Sequence, residues 1–336
     1  MAIIEDLIIS DPGTFVALHG GRLRVEYKDG KYVDAPLMHL RTVQFLTRAS
    51  GISAAAVSAC CEAGVPVHFL DPFEGNYAMV VSSKLTTVIT SKRAQLEALN
   101  TERGAAIARQ LGAGKLRAQA INLRYLARRQ ETDLTAALRE VELELLGYAD
   151  RIEKLPAPTV AEVRDTMMGF EGYCARVYWD ALSPLIPSDY GWGGRSGRHA
   201  ADPINALLNY GYGILYSEVQ KALMVAGLEP YAGLIHTDRP GKPSLTCDLI
   251  EEFRAPIVDR TVIGLAARHF TVETETDGRM TRETRRALAE HILSRLKAQG
   301  TYGRKRYELR SIIQMQARRL AAAFRGDQGY ESYTGG

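Results

Sequence analysis

The chain has 336 residues, 46% hydrophobic and 24% charged, with 42 Lys and Arg against 39 Asp and Glu for a formal net charge of +3. That length allows two domains with cores of their own, and the composition is that of an ordinary folded protein. The basic excess is too mild to establish nucleic-acid binding, so any such claim must rest on where basic residues cluster.

Four cysteines, Cys60, Cys61, Cys174 and Cys247, form no C-x-x-C pair. Neither a zinc site nor a disulfide framework is indicated, and a reduced, cytoplasmic setting suits them. No apolar run approaches the roughly 18 residues of a membrane span, and the start MAIIEDLII lacks the basic residues of a signal peptide.

From Leu7 to about Ser82 the pattern is β-rich. LIIS, TFVALHG, GRLRVEY and KYVDAPL are short runs of β-branched and aromatic residues separated by Pro-Gly, Gly-Gly and Asp-Gly pairs. Asp29-Gly30 predicts a hairpin turn. ISAAAVSACCEAG predicts a short packed helix ending at Gly64, and VPVHFLD and YAMVVSS two more strands. His19, His39 and His68 fall on separate elements and read as core or turn histidines.

At about Lys84 the pattern turns helical. Runs through ALNTERGAAIARQL, LRAQAINLRYLARRQ and DLTAALREVELELLGYADRIEKL are expected to be broken by a turn at Gly112 to Gly114. Arg103, Arg109, Lys115, Arg117, Arg124, Arg128 and Arg129 give this region a basic rim, read as polar cover on amphipathic helices. In MMGFEGYCARVYW, Glu171 lies between Gly169 and Gly172 on an apolar, aromatic helix. Two helix glycines around one acid predict close backbone approach, and a salt bridge to Arg176 or another arginine is the ordinary way to pair that acid.

The loop SPLIPSDYGWGGRSGRHAAD carries Arg195 and Arg198 beside Trp192, a composition that suits a phosphate clamp and a solvated linker about equally. Asp202-Pro203 opens a long amphipathic helix on which Tyr212 and Tyr216 share a face, a spacing commoner in a core than on a base-stacking surface. FTVETETDGRMT reads as a small hairpin or loop insertion. TRETRRALAEHILSRLKAQG and YELRSIIQMQARRLAAAFRG read as helices, Gly303 to Arg306 is a basic cluster, and the tail from 328 to 336 is expected to fray.

Ile235 to Arg254, IHTDRPGKPSLTCDLIEEFR, is the most informative stretch. It sets His236 on a Gly/Pro-broken loop before a helix expected to open at Thr246 or Asp248. Asp248 and Glu251 share a helix face, and Leu249, Ile250 and Phe253 imply that part of the helix is packed. Buried carboxylates need a cation. A divalent metal, with oxygen donors and one imidazole suiting Mn²⁺ or Mg²⁺, and Arg254 both meet that need, and the residues alone leave the two open.

The ordered set of SKRAQ, GFEGYCARVYW, RSGRHAADPINALLNYGYGIL, GLIHTDRPGKPSLTCDLIEEFR and the closing Q-rich helix resembles the CRISPR-associated Cas1 family, the integrase of spacer acquisition. The resemblance spans nearly the whole chain. It implies an α+β fold, with an N-terminal β-sandwich-like domain (1–83) used for homodimerisation, an all-α catalytic domain (84–327) and a flexible tail (328–336). It also implies metal-dependent endonuclease and strand-transfer chemistry on DNA, joining the 3′-hydroxyl of a short foreign DNA to a CRISPR repeat. Glu171, His236 and Glu251 take the places of the metal ligands, with Asp248 a fourth catalytic candidate and Glu252 less certain. Arg195, Arg198, Lys242, Arg254 and Tyr216 are the candidate DNA contacts, and a small companion, Cas2, is an implied partner. Competing expectations are a non-catalytic nucleic-acid scaffold with the same acids in ion networks, and a metal-dependent phosphohydrolase of small substrates.

Overall fold

The computed structural model describes residues 4–71, 75–80, 82, 89–128, 130–196, 202–275 and 279–335. The chain divides into two compact units, Met1–Thr86 with Glu273–Ala287, and Thr87–Val272 with Leu288–Gly336.

The first unit holds β1 (Asp6–Ile9), β2 (Phe15–His19), β3 (Arg22–Glu26), β4 (Tyr32–Pro36), β5 (Thr42–Phe45), β6 (Gly51–Ile52), α1 (Ala54–Glu62), β7 (Val67–Asp71) and β8 (Gly75–Val80). Two four-stranded sheets result, in the orders β1-β5-β7-β8 and β4-β3-β2-β6. The β3–β4 hairpin turns where expected, with Gly30 at φ +79°, a conformation that suits glycine. β1–β5, β5–β7 and β2–β6 are parallel, so hairpins account for only part of the sheets. Side chains alternate across each strand. Leu7, Ile9, Val43, Phe45 and Val67 of one sheet therefore join Val16, Leu23, Val25 and Ala35 of the other in one apolar cluster, with Ala56 and Cys60 of α1. Ser53 caps α1 by accepting from Ala56 N, and the chain leaves the helix through Gly64 at φ +69°.

The second unit is mostly helical: α2 (Ile89–Ala98), α3 (Glu102–Ala127), α4 (Thr132–Glu153), α5 (Val160–Leu182), α6 (Pro203–Val225), α7 (Ser244–Phe253), a π-helical turn (Arg254–Asp259), α8 (Arg260–Ala266), α9 (Arg282–Lys297), the hairpin of β9 (Gln299–Tyr302) and β10 (Lys305–Glu308), and α10 (Leu309–Arg325). The first residues of α9 belong to the first unit. The basic cluster of Gly303 to Arg306 falls at the β9–β10 turn. The expected hairpin or loop insertion at 270–281 shows as one antiparallel bridge, Thr274 to Met280; its Asp277-Gly278 pair, like Arg129 and Arg198, lies outside the described residues. No helix among the described residues is long and apolar enough to cross a membrane.

Three local expectations fail for physical reasons. Gly112 and Gly114 do not break a helix; α3 runs through both. They are glycines because neighbours come close: a Cβ at Gly112 would lie 2.5 Å from Met167 Cε, and one at Gly114 would lie 2.4 Å from Ser332 Cβ. Conversely, Gly169 and Gly172, expected to mark close approach, have nothing within 4 Å of such a Cβ, so the surface flanking Glu171 is open. The tail is not frayed. Tyr330 and Tyr333 are buried, Tyr333 stacks on Phe253 at 5.6 Å, and the Tyr330 hydroxyl donates to Glu252 Oε1 at 2.5 Å.

Candidate active site

α7 begins at Ser244, two residues before the earlier of its two expected starts, and nine of its ten residues are buried. Its acids therefore sit in an apolar setting where each must be compensated. Asp248 is met by backbone: its carboxylate accepts from Leu234 N (2.6 Å), Ile235 N (3.1 Å) and His236 N (2.9 Å). His236 Nδ1 lies 2.7 Å from the same carboxylate. Asp248 thus organises the loop from Leu234 to His236 and fixes the imidazole by one nitrogen, leaving Nε2 for another partner. With its lone pairs taken this way, it orients the histidine rather than offering oxygens of its own.

Glu251 is paired with two cations. Arg254 Nη1 stands 2.8 Å from its Oε1 and Lys115 Nζ 2.9 Å from its Oε2. Burial disfavours its charge, but Arg254, Lys115 and the nearby His236 prevail and hold the carboxyl below the usual glutamate range. Lys115, on α3, also donates to Glu171 Oε1 of α5 at 2.6 Å. One ammonium thereby joins the acids of α5 and α7. Burial works against its charge too, and Glu251 and Glu171 outweigh that effect, raising its pKa. Arg176 is not the partner of Glu171 that the sequence suggests; its guanidinium lies over the Tyr173 ring instead. Glu252 points the other way, into the protein, where it accepts from Tyr330 OH, Gln316 Nε2 (2.8 Å) and Tyr333 N (2.9 Å). Its complete burial outweighs those donors and the weaker pull of Arg319, and the carboxyl is pushed up to about 7.

The π turn that follows α7 has a local cause. Pro256 has no N–H to give to the carbonyl four residues back and its ring crowds that carbonyl, so the helix widens there. On this turn Asp259, 2% exposed, accepts from Tyr178 OH (2.9 Å) and Tyr212 OH (2.6 Å). The guanidinium carbons of Arg254 and Arg195 lie 4.8 and 5.5 Å from the Tyr212 ring centroid. Arg195 is held by Asn205 Oδ1 (2.8 Å) and Asn209 Oδ1 (2.7 Å). Lys115, Glu251, Arg176, Arg195, Arg254 and Tyr212 are among the residues lining a cleft of about 400 Å³.

A family model described as CRISPR associated protein Cas1 matches residues 7–293. The chain belongs to the Cas1 family. The CRISPR-associated endonuclease Cas1 1 of Archaeoglobus fulgidus is 31% identical over 97% of this chain and 98% of its own length. Among solved structures, a casposase bound to integration product is similar with a TM-score of 0.84 at 21% identity, covering 98% of this chain and 93% of that one. A Cas6-RT-Cas1–Cas2 complex chain is similar with a TM-score of 0.75 at 21% identity, covering 99% of this chain and 36% of its own.

Within this Cas1-family site the sequence candidates divide. Glu171 and Glu251 meet through Lys115, His236 is held by Asp248 of the same helix as Glu251, and Arg195 and Arg254 line the adjoining cleft. Lys242 is half-buried in the turn it makes with Arg239, and Tyr216 is half-buried on α6; neither is in the cleft wall. Lys115, Tyr178, Tyr212 and Asp259 are site residues that the motifs do not single out. Among the described residues no three His, Cys, Asp or Glu side chains are grouped so as to hold a metal ion, and Lys115 stands between the two glutamates. The donor set still suits one. Two carboxylates already share a single cation, and Asp248, three residues before Glu251 on α7, holds an imidazole through Nδ1 and leaves its Nε2 to bind.

Proposed function

We propose that this chain is a metal-dependent DNA endonuclease and integrase of CRISPR spacer acquisition, with Glu171, His236 and Glu251 as ligands of Mn²⁺ or Mg²⁺. The observation that carries this reading is the convergence of Glu171 from α5 and Glu251 from α7 on one cation, beside an arginine-lined cleft. When bound there, the divalent ion would ease deprotonation of an attacking hydroxyl and neutralise charge on the phosphoryl oxygens.

The chain's own residues supply the rest. Asp248 holds the imidazole and its loop. Arg195 and Arg254, steadied by Asn205, Asn209 and the Tyr212 ring, give the cleft wall the charge a phosphodiester needs. In strand transfer the 3′-oxygen of the incoming DNA bonds to phosphorus and loses its proton, while the bond to the departing 3′-oxygen breaks and that oxygen gains one. One phosphodiester replaces another, so no co-reactant is consumed; with water as nucleophile the same site cleaves DNA. The relative named as an endonuclease and the fold shared with an integration-product complex support this reading, and the Cas1–Cas2 complex supports a Cas2 partner. Homodimerisation through the β-rich unit belongs to the same proposal.

A second reading has an observation in its favour: the Glu171–Lys115–Glu251–Arg254 chain is also a complete ion network, as a non-catalytic DNA-binding scaffold would have. One experiment separates them. Wild type and Glu251→Ala are incubated with a 3′-hydroxyl DNA carrying a label and a repeat-containing duplex, with Mn²⁺ or with EDTA. Joined product from wild type with Mn²⁺ only, and none from the variant, supports the integrase; equal product in EDTA, or none from a folded wild type that still binds DNA, ends it.

A further inference from the structure

Among the described residues Lys115 is the one side chain that touches both glutamates of the site, at 2.6 Å and 2.9 Å, and it comes from α3, outside the stretches on which the resemblance to the family rests. It is 8% exposed and also lines the cleft with Arg254, Arg195 and Tyr212. We infer that Lys115 is an exchangeable cation: it holds Glu171 and Glu251 together before the divalent ion arrives, yields them to the ion, and then places its charge on the phosphate in the cleft. This inference rests on the proposed metal-dependent reaction.

Three considerations lead there. The ammonium lies on the same two carboxylates that the proposed function assigns to the divalent ion, so the two cations compete for the same oxygens. A lysine can yield because its charge rides on a flexible four-carbon stem, and the cleft it already borders is where that stem can carry it. The charge count then requires it elsewhere. Two carboxylates and one dication sum to zero, so the negative charge that a phosphodiester gathers on its oxygens in the transition state falls to the cationic side chains of the cleft. Lys115 and Arg254 supply two positive charges at that place. A purely structural role explains less. A buried ion pair is weak evidence of stabilisation, since an apolar side chain of similar size often serves as well.

The test uses the full-length protein with Mn²⁺ as probe. Amine acylation followed by mass spectrometry reads the exposure of Lys115 in wild type, with exposed Lys31 as reference. Addition of Mn²⁺ is expected to raise Lys115 labelling several-fold relative to Lys31. Mn²⁺ affinity without DNA, from the spin resonance of the free ion, is expected to tighten about tenfold in Lys115→Met, because a competitor for the carboxylates is gone. Joining at saturating Mn²⁺ is expected to fall by about 10² in the same variant and to recover in part in Lys115→Arg, which restores the charge. The inference is overturned by Lys115 labelling that does not change while Mn²⁺ binds, by Mn²⁺ affinity unchanged or weaker in a folded Lys115→Met, or by joining within about twofold of wild type in that variant. The labelling arm needs no variant and decides the matter if Lys115→Met does not fold. A wild type that neither binds Mn²⁺ nor joins DNA removes the proposed function itself, and this inference with it; a wild type that does both while Lys115 stays put removes the inference alone.

Discussion

His236 Nδ1 lies 2.7 Å from Asp248 Oδ1, and the carboxylate that holds this ring also takes the backbone N–H groups of Leu234, Ile235 and His236. One buried acid therefore sets both a loop and the orientation of an imidazole. Asp248→Asn replaces an acceptor oxygen by an NH₂ that faces N–H donors. Expected losses are about 2–4 kcal/mol of stability from unpaired buried groups and about 10–100-fold in Mn²⁺ affinity. Urea unfolding and Mn²⁺ titration of the same sample check both.

Glu251 and Glu171 share Lys115 but are unequally committed. Glu251→Ala leaves Lys115 with one acid and takes from Arg254 its direct salt-bridge partner, in a setting where Glu251 itself is 7% exposed, so a cost of about 3–5 kcal/mol is expected. Glu171 is 29% exposed at its side chain, and its removal leaves the Lys115–Glu251 pair whole, so Glu171→Ala should cost under about 2 kcal/mol. DNA joining should nonetheless fall by at least about 10² in both. Equal stability losses would show that Lys115 does not distinguish the two acids.

The α3–α4 pair carries a pH-dependent clamp. Arg117 donates to both oxygens of Glu153, each at 2.6 Å, and Gln110 donates to one at 2.7 Å. The Arg117 hydrogen bonds, partly opposed by burial and helped by Gln110, hold the Glu153 carboxyl below its usual range. A carboxyl depressed in the folded state stabilises above its unfolded pKa, and that contribution is lost as pH falls through the folded value. Stability should decline between about pH 5 and pH 3, and Glu153→Gln should flatten that decline. Thermal melts across this range read the difference.

Gly114 and the tail meet directly. A Cβ at Gly114 would lie 2.4 Å from Ser332 Cβ and 3.3 Å from Glu252 Cγ, so Gly114→Ala must displace the segment that donates to Glu252. Removing residues 330–336 takes away two donors to that carboxylate at once. The two changes should be less than additive, with a coupling of about 1–3 kcal/mol in a double-mutant cycle read by urea unfolding.

What could be read in the chain was whatever local pattern decides. The β-rich start, the Asp29-Gly30 turn and Asp248 and Glu251 three apart depend on neighbours in sequence, and the structure shows the turn and both acids on one buried helix. Where distant segments decide, local pattern misled. Lys115 is one of seven basic residues along helices that cover themselves with charge, and nothing beside it reveals that two acids 56 and 136 positions away surround it. The same limit hides why Gly112 and Gly114 are glycines, since Met167 and Ser332 are the cause. It also hides what Tyr330 and Tyr333 do, since their partner is Glu252.

The proline-widened turn sets the angular phase of everything after Glu251. Arg254 and Asp259 both face the cleft though they are five residues apart. In a regular α-helix that separation would aim them about 140° apart, whereas an i to i+5 turn stacks them on one side. Deleting a single residue there would leave the aspartate four residues from Arg254, about 40° away on a regular α-helix, so the acid would keep its side of the helix. The widened turn thus absorbs one residue without changing which side of the helix the aspartate occupies, and a one-residue insertion should be worse tolerated there than a one-residue deletion.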